Sequence, residues 1–127
     1  TKERKISNYE KNLKSRMKKI EEKYQDLIDN GTTDSMLSDT ESLTDEWDRE
    51  LNIVYNLVLD QLNSSEKEKV RVQQRQWLKL RDAKVKKVAN DGEDPKMTLF
   101  DSAGTKLEMT KERTLKLAEM FDELNER

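Results

Sequence analysis

The chain has 127 residues, of which 32% are hydrophobic and 41% charged, with a formal net charge of -2 and a sequence pI near 5.4. That is the size of one ordinary domain, and so thin a supply of apolar residues suits long amphipathic helices that each bury a single stripe. Cysteine and histidine are both absent, which excludes structural zinc, thiol nucleophiles, histidine-ligated haem and Ser-His-Asp catalysis.

From the N-terminus, Ile6, Tyr9, Leu13, Met17, Ile20, Tyr24, Leu27 and Ile28 follow one another mostly at threes and fours. That spacing puts them on one helical stripe and predicts a helix over about residues 5–30. Asn30-Gly31 ends it, with Gly31 expected in the left-handed conformation of a C-terminal cap.

Thr32 and Thr33 can cap a second helix, with Asp34 complementing its dipole. Its stripe runs Met36, Thr40, Leu43, Trp47, Leu51, Val54, Tyr55, Val58 and Leu62, predicting a helix over 33–63. Helix propensity is weak around Leu37–Ser42, so the first two turns are expected to fray.

Ser65 and Glu68 have capping-box spacing. A third helix over 65–90 would place Val70, Gln74, Trp77, Leu78, Arg81, Val85 and Val88 in one sector, ending at Asn90-Asp91-Gly92. The connection between the second and third helices is short, so an antiparallel hairpin is expected.

Asp94-Pro95 is a helix start, an N-cap followed by Pro at the first position. From there Met97, Phe100, Gly104, Leu107, Lys111, Thr114, Ala118 and Phe121 repeat at threes and fours, widened by Leu115, Leu117 and Leu124. One helix over 95–125 accounts for more residues than its rival, a hairpin of Met97–Phe100 against Lys106–Met109 turning at Ser102-Ala103-Gly104. In the helical reading Gly104 allows close approach of a neighbour. Four amphipathic helices predict a single all-α domain over 1–127, an antiparallel bundle.

Chemistry-bearing residues are few. Gln74 and Arg81 lie on the stripe where Leu or Ile would be ordinary. An arginine drawn into a helical interface needs an anionic or amide partner, and Asp48 and Asn52 of the second helix can supply one. The expected role is a polar network that fixes helix register, with a ligand or partner contact as the alternative. Trp47 and Trp77 read as packing anchors. No carboxylate pair is singled out for acid–base work, and the acidic segment lacks the ligand spacing of a calcium loop. No catalytic residue, metal site or cofactor is therefore expected.

Charge is segregated along the chain. Residues 26–50 hold nine acids against Arg49 alone, whereas 1–23 and 66–88 each hold nine bases. Either acidic and basic helices pack side by side, or the acidic segment steers a cationic partner. Asp34, Asp39, Glu41, Asp45 and Glu46 are the candidate partner surface. The low pI opposes a dominant nucleic-acid role. No apolar run approaches the ~20 residues of a membrane span; no secretory apolar region is present either, so any signal segment is expected to lie outside this sequence.

One combination of motifs is more specific. Asp48-x-x-Leu51-Asn52-x-x-Tyr55 is followed by Gln74-Arg75-x-Trp77-Leu78-x-x-Arg81-Asp82 and then Thr110-x-x-Arg113-Thr114-x-x-Leu117. This pattern resembles the LprI-type lysozyme-inhibitor domain, over roughly residues 32–124, with 1–31 as an added N-terminal helix. Thr32 and Met36 also stand where that family carries Thr and Met. The family's usual cysteines are replaced, at Asp39, Val85 and about Thr105, so packing must supply the stability that disulfides give its relatives. The resemblance implies a non-enzymatic protein of the cell envelope or exterior, free or lipid-anchored, that binds a protein partner, with lysozyme as the named candidate. It marks the motif residues as determinants of fold rather than of inhibition. The competing reading is a structural helical domain that associates with another chain and inhibits nothing. The sequence leaves the oligomeric state open.

Overall fold

A computed structural model describes residues 6–126. Four helices account for it: α1 (Tyr9–Asp29), α2 (Thr33–Asp60), α3 (Ser64–Asn90) and α4 (Pro95–Asn125). The expected all-α bundle is present, and residues 97–109 are helical, not a hairpin. The start expected for the first helix, at residue 5, lies outside the described residues.

The helices run alternately up and down. Arg113 of α4 lies level with Gln74 of α3, and Thr110 with Arg81, so these two are antiparallel. Lys111 meets Glu21 and Asp122 meets Tyr9, which sets α1 antiparallel to α4. Thr114 lies level with Trp47, while further back along both helices Leu37 faces Leu99 across a cleft. Thus α2 and α4 run parallel, and theirs is the most extensive contact in the molecule.

This central pair forms because the inward face of α4 is built from small residues. Ser102, Thr110, Thr114 and Ala118 are buried, so the large side chains Trp47 and Leu51 of α2 can approach closely. Each buried threonine hydroxyl donates to a carbonyl one turn back, Thr110 to Lys106 and Thr114 to Thr110 at 2.7 Å, and Thr44 to Thr40 at 2.9 Å. These hydroxyls are thereby buried without orphaned donors. The core comprises Leu13 and Met17 of α1, Leu43, Trp47, Leu51 and Val54 of α2, and Leu117 and Ala118 of α4.

The hairpin expected of the second and third helices is splayed. Neither α1 nor α2 packs along α3, which docks on α4 instead. The buried residues of α3 are Val70, Gln74 and Arg81, too polar a set to compete with α4 for the apolar face of α2.

Local signals departed from expectation at several ends. The second helix does not fray: Thr32 caps it in a reciprocal box with Ser35, and Thr40 and Thr44 are held in the core at 3% and 4% exposure. The third is capped by Asn63 with Glu66, one box earlier than Ser65 with Glu68. Gly31 is not left-handed; the positive φ belongs to Gly92, at 139°. Gly31 serves for space, because a Cβ there would fall 2.8 Å from the Leu27 carbonyl oxygen. Gly104 approaches none of the described residues: a Cβ would meet open space. Ile6 is 71% exposed, since the helix begins only at Tyr9. No helix of the described residues is long and apolar enough to cross a membrane.

The α1 N-terminus is capped from a distance. Asn8 makes no side-chain cap bond. The Asp122 carboxylate of α4 instead accepts from the amides of Tyr9 (2.8 Å) and Glu10 (3.0 Å) and from the Ser7 hydroxyl. One carboxylate thus satisfies two of the amides a helix start leaves open. Phe121 meets the Tyr9 ring edge-on at 5.2 Å, and burial raises the Tyr9 phenol above its ordinary value of 10.0.

Candidate functional site

Two sets of residues carry polar chemistry, one inside the bundle and one on its surface. The inner set joins α3 to α4. Arg81 is 8% exposed; its Nη1 donates to Thr110 Oγ1 at 3.4 Å and its Nε to Asp82 Oδ1 at 3.2 Å. Asp48 of α2 stands 3.8 Å from Nη1, and the guanidinium lies 5.1 Å from the centre of the Trp77 ring. The expected Arg81–Asp48 pairing is present. Asn52, the other proposed partner, is exposed and stands outside it.

Three residues before Thr114 on the sequence scale of one turn, Lys111 reaches back to α1, pairing with Glu21 at 2.9 Å above the face of Trp47. On the other side of α4, Arg113 Nε donates to Gln74 Oε1 at 2.9 Å. Gln74 is 7% exposed, and Arg113 Nη2 is buried with no partner among the described residues. Burial therefore lowers the Arg113 pKa from its ordinary value, with Tyr55 opposing the shift. The other buried orphan is Trp47 Nε1.

Of the motif residues, Leu51 and Leu117 sit in the core, with Trp77 and Tyr55 packed against it. Gln74, Arg81, Thr110 and Arg113 form the α3–α4 seam. Arg75 and Asp82 are exposed, and Arg75 bonds Glu68 on its own helix. The inner set can hold helices together. Among the described residues no group of acids is placed to hold a metal ion.

The surface set is the acidic segment, and the helix divides it. Asp34, Glu41 and Asp45 are separated by seven and four residues and share one face of α2; Asp39 and Glu46, seven apart, share another. Glu41 and Asp45 border a cleft of about 290 Å³ whose walls mix Leu37, Val85, Leu99 and Ala103 with Thr44, Ser102 and Lys106. Leu99 is 50% exposed there. Asp34, Glu41 and Asp45 enter no ion pair among the described residues. The second face turns toward α1. Its Glu46 pairs with Arg49, and Glu50, next along it, with Arg16 of α1 at 2.8 Å. Charge order alone could not separate these faces; the helical period could have.

Comparison with known proteins adds one finding. The profile of the family described as lysozyme inhibitor LprI matches residues 26–117. The matched range opens in the last turns of α1, spans α2 and α3, and closes within α4 on Leu117. No curated protein and no solved structure matches the chain.

Proposed function

This chain belongs to the LprI lysozyme-inhibitor family, and on that premise we propose that it inhibits a lysozyme by protein–protein contact, without catalysis of its own. The contact surface is the cleft face of α2, where Glu41 and Asp45 line the cleft beside the exposed Leu99 and Asp34 continues the same helical face. The observation that carries this reading is that none of those three acids forms an ion pair within the described chain, although Lys106 lines the same cleft. Unpaired acids around an apolar floor suit a cationic protein: the charges steer approach and the apolar walls supply contact area.

Lysozymes cleave with two carboxyl groups. An acidic surface is repelled by those carboxylates, so it seats on basic residues flanking the substrate groove and blocks the groove by bulk. The motif residues Gln74, Arg81 and Thr110 take no part in the contact, since they are buried in the α3–α4 seam. The protein acts outside the cytoplasm, at the envelope or beyond, where lysozyme is met. Cell-wall hydrolysis by lysozyme, measured against increasing concentrations of this protein, is expected to fall in a dose-dependent way. Undiminished hydrolysis at large molar excess would remove the reading.

A further inference from the structure

The outer face of α4 carries an unexplained glycine. A glycine inside a helix is costly relative to alanine, and a close approach by a neighbour is one thing that offsets it. Among the described residues no neighbour comes close, because a Cβ on Gly104 would meet open space. Gly104 lines a shallow hollow of about 550 Å³ together with Phe100, Leu107, Met109 and Lys84. Next to it a second hollow is lined by Trp77, Leu80, Met109 and Lys116. Met109 borders both.

Leu80 is 62% exposed, a large apolar side chain with no cover. The patch therefore offers a protruding knob and a vacant hole, one on each side of Met109. It also carries both signs of charge. Lys84 on α3 and Asp101, Glu108 and Glu112 on α4 line the Gly104 hollow, and none of them enters an ion pair among the described residues.

We propose that this α3–α4 face is a homodimer interface, in which Leu80 of each copy seats over Gly104 of the other about a two-fold axis near Met109. A two-fold contact must be self-complementary. This patch is, in shape and in charge, since the same operation brings each Lys84 toward the acids of the other α4. The occupant is accordingly a second copy rather than an unrelated helix, which would need only one half of the pattern. From Phe100 to Lys116 the face extends about 24 Å at ~1.5 Å per residue. Two helices wide, that falls below the usual size of stable interfaces and in the range of transient ones, so the association is weak and reversible. The acidic cleft of α2 lies off this face, and each dimer presents two of them.

Sedimentation of the full chain over a range from low to high micromolar tests the proposal. The wild type is expected to shift reversibly from monomer to dimer. Leu80→Glu and Gly104→Leu are expected to weaken association at least about tenfold, the scale of a central contact, with unchanged helical circular dichroism. Gly104→Ala separates the two roles of the site: it raises the melting temperature of the dilute monomer and weakens the dimer. Lys84→Glu weakens association, and Lys84→Glu combined with Glu108→Lys restores it. Monomer at every concentration overturns the proposal. So does a dimer that Leu80→Glu and Gly104→Leu leave intact, because it would use another face.

Discussion

Arg113 Nε donates to Gln74 Oε1 across 2.9 Å, and this bond joins the second and third segments of the motif where α3 crosses α4. Gln74 is the only side chain that accepts from the guanidinium in the described structure, while Nη2 is buried without a partner. A desolvated cation held by one amide makes the seam specific but not strong.

Removing the amide should therefore harm the fold more than removing both groups. Gln74→Leu leaves the Arg113 charge without its acceptor and is expected to cost roughly 2–3 kcal/mol. Adding Arg113→Met replaces the pair by apolar atoms and should recover all but about 1 kcal/mol. Urea midpoints of the two single variants and the double variant give the comparison. Strictly additive losses would show that the two side chains act independently.

The cap that Asp122 provides to α1 is testable locally. Asp122→Ala strips the amides of Tyr9 and Glu10 of their acceptor, a loss of about 1–2 kcal/mol for a helix cap. Amide hydrogen exchange should show protection falling in the first turns of α1 and persisting in the core of α2 and α4. Uniform loss across all four helices would mean that α1 is not held separately at that end.

Although the family match starts only at residue 26, α1 contributes two of the most deeply buried side chains, Leu13 at 0% and Met17 at 1% exposure. Leu13→Ala is expected to destabilise the whole domain by about 2–5 kcal/mol, the range for a core cavity. A thermal melt that shifts as one cooperative transition supports a single core. A separate early transition would instead mark α1 as an appendage.

Burial raises the Tyr9 pKa above 10.0, so the folded state favours the neutral phenol. Its contribution to stability is fully present below the unfolded value and is lost as pH rises through the folded one. Alkaline unfolding midpoints should fall more steeply with pH for the wild type than for Tyr9→Phe. Equal slopes would contradict the assignment.

Much of this architecture was legible in the sequence because helical stripes are set by spacing alone. Leu13, Met17, Trp47, Leu51 and Ala118 all fell on their expected buried faces, and the anomaly of Gln74 and Arg81 on an apolar stripe correctly marked an inward polar seam. Which helices pair was not legible. A stripe says that a face is buried, not against what, and the small side chains of Ser102, Thr110 and Thr114 decided that α2 would pack on α4 rather than α3. Helix ends were misread where two boxes overlap in sequence: Asn63 with Glu66 and Ser65 with Glu68 differ by two residues, and the connection to α2 selects the earlier. The acidic segment looked like one surface because its order along the chain hides the rotation between Asp39 and Asp45.

That division of the acids gives the sharpest test of the account. Lysozyme binding should be measured for two variants that remove equal charge from the two faces of α2, Glu41→Gln with Asp45→Asn on the cleft face and Asp39→Asn with Glu46→Gln on the face toward α1. The account predicts that the cleft-face variant slows association and weakens inhibition at least about tenfold, with the effect shrinking as salt is added, while the other variant inhibits like the wild type. Equal losses in both variants, or none in the cleft-face variant, would contradict it.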